Sequence, residues 1–257
     1  MSQESPLFDL KGRTVLVTGS SQGIGFTLAR GLARAGAVVV LNGRDEGKLS
    51  AASMTLEREG LRAASSAFDV TDSVAIAEGI GRIEAKVGPV DILVNNAGIQ
   101  RRARLEEMTE AQWREVIDVN LTSAFLVSRR VAPAMIRRGG GKIINICSLM
   151  SEVSRPSIGN YAAAKGGLKM LTRAMAAEWA KYNIQSNAIG PGYFETELTK
   201  PLLDNPEFSE WLRRRTPAGR WAQPEELVGT AVYLASRASD FVNGQIIYVD
   251  GGLLAAI

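Results

Sequence analysis

Seven short runs of apolar and β-branched residues recur along the chain, at 14–18, 38–41, 63–68, 92–94, 142–146, 184–188 and 246–249. They are continuous and do not alternate, the pattern of strands covered on both faces of a parallel sheet. Between them lie segments with apolar positions at helical spacing, at 24–35, 46–59, 73–86, 110–137, 162–182 and 224–235. Repeated β–α units predict a Rossmann-type α/β fold: a doubly wound parallel sheet of about seven strands with helices on both faces. No repeat, low-complexity tract or linker divides the chain, so residues 1–257 are expected to form one domain. The rhythm breaks only at 192–218, where Pro201, Pro206 and Pro217 flank an amphipathic, aromatic piece. An insertion there would lie at the C-terminal edge of the strands, where open α/β sheets bind ligands. It predicts either a cover over the substrate or an oligomer contact.

Composition narrows the partners. Thirty basic and 27 acidic residues leave a net charge of +3, too small to predict nucleic acid as a partner. Clusters such as Arg101, Arg102 and Arg104, or Arg213, Arg214 and Arg215, read first as solvated surface. No stretch approaches the roughly 20 apolar residues that cross a bilayer, and no secretory signal opens the chain. A single cysteine, Cys147, excludes an internal disulfide and suits a cytoplasmic setting. Histidine is absent. That excludes histidine-ligated metals, Ser-His-Asp hydrolysis and imidazole acid–base chemistry, and no metal site is expected.

The first predicted strand runs into Gly19-Ser20-Ser21-Gln22-Gly23-Ile24-Gly25, then a helix. Glycines permit a tight turn and close approach to a pyrophosphate, which the free N–H groups of a helix start attract. The second strand ends at Asn42-Gly43-Arg44. Gly43 stands where an acid would accept bonds from an adenosine ribose, and Arg44 offers a guanidinium to a 2′-phosphate. The expectation is NADP in preference to NAD, with NAD possible. Asp45 and Glu46 are expected to begin the next helix.

Tyr161 and Lys165 stand four positions apart in a predicted helix, so the ammonium and the phenol share a face. A free tyrosine, with a pKa near 10, is a poor base at neutral pH. A fixed cation beside it favours the phenolate. Ser148 ends the fifth strand, thirteen residues before that tyrosine.

Taken in order, the glycine turn, Asp69, Asn95-Asn96-Ala97-Gly98, Asn120, Ser148, Tyr161-x-x-x-Lys165 and Pro191-Gly192 resemble the single-domain branch of the short-chain dehydrogenase/reductase family. The likeness covers essentially the whole chain. It implies that Tyr161 is the general acid/base, that Lys165 lowers its pKa and binds the nicotinamide ribose, that Ser148 polarises the substrate oxygen, and that Asn120 anchors a water in a proton relay. It further implies that Asp69 and Val70 meet the adenine, that Asn96, Ala97 and Gly98 line the adenosine side, and that Pro191, Gly192, Phe194 and Thr196 flank the nicotinamide. Such enzymes are commonly tetramers, here through the helices near 110–137 and 162–182.

More local features resemble a sugar-acid branch of that family: residues 96–102, Ile146-Cys147-Ser148, 189–194, 216–221 and 248–252. They imply NADP-dependent interconversion of D-gluconate and 5-keto-D-gluconate. A sugar acid needs a cation for its carboxylate and acceptors for its hydroxyls. Arg102 is the favoured cation and Glu152 the favoured acceptor. A related sugar-acid or polyol reductase, a 3-oxoacyl-carrier-protein reductase, and a cofactor-binding regulatory protein without turnover remain as alternatives.

Overall fold

The computed structural model describes residues 7–256. All seven runs form strands: β1 (Thr14–Val17), β2 (Val38–Gly43), β3 (Ala63–Ala67), β4 (Ile92–Asn95), β5 (Gly141–Ile146), β6 (Ile184–Pro191) and β7 (Ile246–Val249). Every pairing is parallel, and the order is β3-β2-β1-β4-β5-β6-β7. The order reverses between β1 and β4, which opens a crevice at their C-terminal ends.

Helices α1 (Gly23–Arg34), α2 (Glu46–Arg58) and α9 (Val228–Ala235) cover one face. Leu28, Leu32, Leu49, Leu56 and Leu234 there pack on Val15, Val17, Val39 and Leu41. Helices α3 (Ser73–Lys86), α5 (Ser123–Arg138) and α6 (Gly159–Trp179) cover the other. Their Ile76, Ile80, Val127, Val131 and Met175 meet Leu16, Val40, Leu93 and Ile143. Neighbouring strand residues thus enter opposite layers, and each fully buried leucine or isoleucine contributes about 1.5–3 kcal/mol.

The structure departs from the predicted helix at 110–137. A capping box of Thr109 and Gln112 starts α4 (Glu110–Ile117), but a π turn at Asp118–Thr122 separates it from α5. The hydrophobic period alone does not reveal such an inserted turn, which commonly marks a functional site. Asn120 lies within it. The segment at 224–235 likewise begins as a 3₁₀ turn, Pro224–Leu227, before α9.

After β6 the chain forms two short helices, α7 (Lys200–Leu203) and α8 (Pro206–Arg215). Leu202, Leu203, Phe208 and Leu212 join Leu149, Met150, Ile158, Tyr161 and Trp221 in a separate apolar cluster. The 192–218 region therefore packs on the loop between Ser148 and Tyr161, at the C-terminal edge of the sheet.

Candidate active site

The glycine turn lies in the crevice between β1 and β4. Gly19 has φ +61, and a Cβ there would stand 2.8 Å from the Ala97 Cα; at Gly25 it would stand 2.4 Å from the Asn96 amide nitrogen. Any larger residue would push the turn off β4. Asn96 holds the turn by donating to the carbonyls of Thr18 and Gly19, both at 2.9 Å, while the Thr18 hydroxyl accepts from the backbone N–H groups of Asn96 and Ala97. Thr18 was not singled out in the sequence, although its place at the strand end could have suggested it.

The start of α1 has no side-chain cap and no acid in its first turn. A Cβ on Gly23, the first residue of α1, would meet nothing within 4 Å. An uncapped helix start of this kind suits a pyrophosphate, so the cradle fits a dinucleotide.

At the end of β2, Asn42 is fully buried, and its amide donates to the carbonyls of Ser66 and Phe68. It ties β2 to β3, and its side-chain oxygen has no partner. Asp45 caps α2 through the Lys48 N–H at 2.9 Å, as expected from sequence. Arg44 stays exposed, 3.8 Å from Asp69. Burial raises the Asp69 pKa, but two bonds from Thr71 and the Arg44 charge outweigh it and hold the carboxyl below its usual value. Val70 is buried beside it. Phe194 is 1% exposed and belongs to the core, so contact with a cofactor would run through its backbone. Thr196 shares a hydroxyl bond with Thr199 at 2.9 Å, while Pro191 and Gly192 end β6 next to β7.

Three of the four catalytic candidates, Ser148, Tyr161 and Lys165, lie together, and Asn120 stands in the π turn before α5. Ser148 leaves β5 and accepts from the Met150 N–H at 3.1 Å, which fixes its hydroxyl. Tyr161 lies in the first turn of α6, and the Lys165 ammonium is 5.7 Å from its ring centroid. Lys165 is 4% exposed and donates to the Ile146 carbonyl at 2.6 Å. Asn120 accepts from the Ile99 N–H at 2.8 Å and donates to the Ile99 carbonyl at 2.9 Å. Its side chain is therefore committed to the loop after β4. Beneath the site, Asn95 donates to Ser128 and to Asn145, and Asn145 donates to Thr172, joining β4, β5, α5 and α6.

The electrostatics differ from the expectation that Lys165 lowers the tyrosine pKa. Burial pushes Tyr161 up to about 12, while the neighbouring Ser148 hydroxyl pulls the other way. Burial also lowers Lys165 to about 8. Desolvation wins because the ammonium is turned to the Ile146 carbonyl. In this state the phenol keeps its proton at neutral pH, which suits it to donate.

The substrate end separates residues that composition could not. Arg101 makes a two-point ion pair with Glu115, at 2.7 and 2.8 Å, and Arg104 lies 3.9 Å from Glu106. Among the described residues, Arg102 has a neutral partner alone, the Gln100 side chain at 3.1 Å. Glu152 is engaged elsewhere. Its carboxylate accepts from Lys169 and, at 2.6 Å, from the Tyr248 hydroxyl, so the structure does not bring it free to the site. Sequence reasoning also passed over Arg155, whose one signal was a basic residue in the loop joining Ser148 to Tyr161.

A glycine-cradled crevice with a serine, tyrosine and lysine at its floor defines a dinucleotide-dependent oxidoreductase. The family model described as "Enoyl-(Acyl carrier protein) reductase" matches residues 19–254. The chain belongs to the short-chain dehydrogenase/reductase family. It is 54% identical to the gluconate 5-dehydrogenase of Gluconobacter oxydans over 98% of both chains. It is 52% identical to the 2-dehydro-3-deoxy-D-gluconate 5-dehydrogenase of Formosa agariphila, over 98% of this chain and 96% of the relative. The crystal structure of a gluconate 5-dehydrogenase from Burkholderia cenocepacia, in complex with NADP and tartrate, superposes with a TM-score of 0.96, at 54% identity over 98% of each chain.

Proposed function

We propose that this enzyme reversibly interconverts D-gluconate and 5-keto-D-gluconate with NADP(H). The observation that carries the reading is an arginine with no acidic partner, Arg102, beside a Ser148–Tyr161–Lys165 site, in a chain 54% identical to a gluconate 5-dehydrogenase. When bound, the nicotinamide supplies or takes the hydride. Ser148 holds the C5 oxygen, and Tyr161 donates its phenolic proton to that oxygen on reduction or takes it back on oxidation. Lys165 would turn to the nicotinamide ribose, and a water anchored at Asn120 would return a proton through it. Arg44 would hold the 2′-phosphate, with Asp69 and Val70 at the adenine. The 192–218 region would cover the substrate.

The test is NADP-dependent oxidation of D-gluconate and NADPH-dependent reduction of 5-keto-D-gluconate, with product identification. No turnover of either would overturn the reading. The Formosa relative favours a second one, 2-dehydro-3-deoxy-D-gluconate as substrate, and turnover of that compound alone would select it. We also infer a cytoplasmic homotetramer. Exposed Phe125 on α5 and Met170 on α6 support subunit contacts, and no described helix is long and apolar enough to cross a membrane.

A further inference from the structure

Two loops meet above Tyr161. One, residues 99–105, follows β4; the other, residues 149–158, joins Ser148 to α6. The Ala103 N–H donates to the Ser157 carbonyl at 3.1 Å, and the Asn160 amide donates to the Arg101 carbonyl at 3.1 Å. Arg102 and Arg155 are therefore held on loops bonded to each other. The Arg155 guanidinium lies 5.2 Å from the Phe208 ring centroid on α8, and Phe208 meets Tyr193 edge-on at 5.5 Å. Tyr193 packs in the same cluster as Tyr161. Arg155 thus links the catalytic loop, the 192–218 region and the pocket wall.

Among the described residues neither arginine has a carboxylate within ion-pairing distance, whereas Arg101, Arg104 and Arg220 do. Burial lowers the Arg102 pKa, and the Arg155 charge lowers it further. Both charges also pull the Tyr193 phenol down against the burial that raises it. Two like charges on bonded loops without a counter-ion repel each other, and an anion seated between them would relieve that repulsion.

We propose that Arg102 and Arg155 form a two-guanidinium clamp for the substrate carboxylate, with Arg155 the residue that separates sugar acids from neutral polyols. The clamp rests on the sugar-acid reading above. The reacting carbon, C5, would sit at Tyr161 and Ser148 while C1 reaches the arginines. Arg155, stacked on Phe208, would couple carboxylate binding to the seating of α8 over the pocket.

The test measures equilibrium binding of D-gluconate and D-sorbitol, which differ only at C1, to the NADPH-loaded protein by calorimetry. Arg155→Met retains much of the aliphatic packing on Phe208, and Arg155→Lys retains the charge without the fork. The gluconate-to-sorbitol affinity ratio should fall about 10–100-fold in Arg155→Met and less in Arg155→Lys. Arg102→Met should lower the same ratio, and thermal melting with NADPH affinity reports on folding. An unchanged ratio in Arg155→Met overturns the clamp, as does a wild-type protein that does not bind gluconate. If the wild type fails to reduce 5-keto-D-gluconate but the binding ratio still collapses, the substrate assignment falls and the clamp stands.

Discussion

The two edges of one parallel sheet use their charges in opposite ways. At the N-terminal edge, a cavity of about 690 Å³ is lined by Arg13, Asp91, Arg138, Lys142 and Asp240, among others. Its charges are largely matched within the protein. Asp91 accepts from the Thr14 N–H and lies 3.5 Å from Arg138, and Lys142 donates to Asp240 at 2.8 Å. At the C-terminal edge the helix start of α1 is uncapped, Arg102 and Arg155 lack acidic partners, and Lys165 rests on a backbone carbonyl. That cavity lies at the edge without the chemistry. Unmatched donors, more than volume, mark where a ligand completes the structure.

The sharpest test of that contrast removes the proton donor. Tyr161→Phe should retain NADPH binding, followed by fluorescence, yet lose turnover by about 10²–10⁴-fold. Near-normal kcat would remove Tyr161 from the reaction. Next comes pH. Oxidation needs the phenolate, and burial raises Tyr161 to about 12, so kcat/KM for oxidation should rise up to about tenfold per pH unit below that pKa. Reduction needs the phenol and should stay flat through neutral pH, then bend down above about 8 as Lys165 loses its proton. A reduction profile falling already at pH 6–7 would contradict both shifts.

A smaller effect is expected at the cofactor selector. Arg44→Ser should lower the NADP-to-NAD ratio of kcat/KM by roughly tenfold or more, the scale of one charge-assisted contact. An unchanged ratio would place selectivity elsewhere. Smallest is the control at the other edge. Asp240→Asn should weaken the partner of a buried lysine and cost about 1–2 kcal/mol in denaturant unfolding, with kcat unaltered. A large loss of activity there would end the division between the edges.

Much of the frame was legible before any coordinates. All seven runs become strands, and the five inner ones are largely apolar because they are buried on both faces. The edge strands β3 and β7 are only partly covered, and β3 carries Ser65 and Ser66. The Tyr161–Lys165 pair was legible because four residues make about one helical turn. The break at Asp118–Thr122 was not, because an inserted residue in a helix leaves the apolar pattern nearly unchanged. The fate of Glu152 was hidden for a different reason: its partner Tyr248 lies 96 positions away.

The sequence by itself determined the order of strands and helices, the glycine turn, and the residue types offered to the reaction. Those follow from periodicity and backbone freedom, which act over a few neighbours. Only the tertiary structure decided which arginines are matched by carboxylates, that the loops carrying Arg102 and Arg155 are bonded to each other, and that burial raises the Tyr161 pKa. Charge pairing and desolvation depend on groups brought together from distant parts of the chain, and no local pattern encodes them.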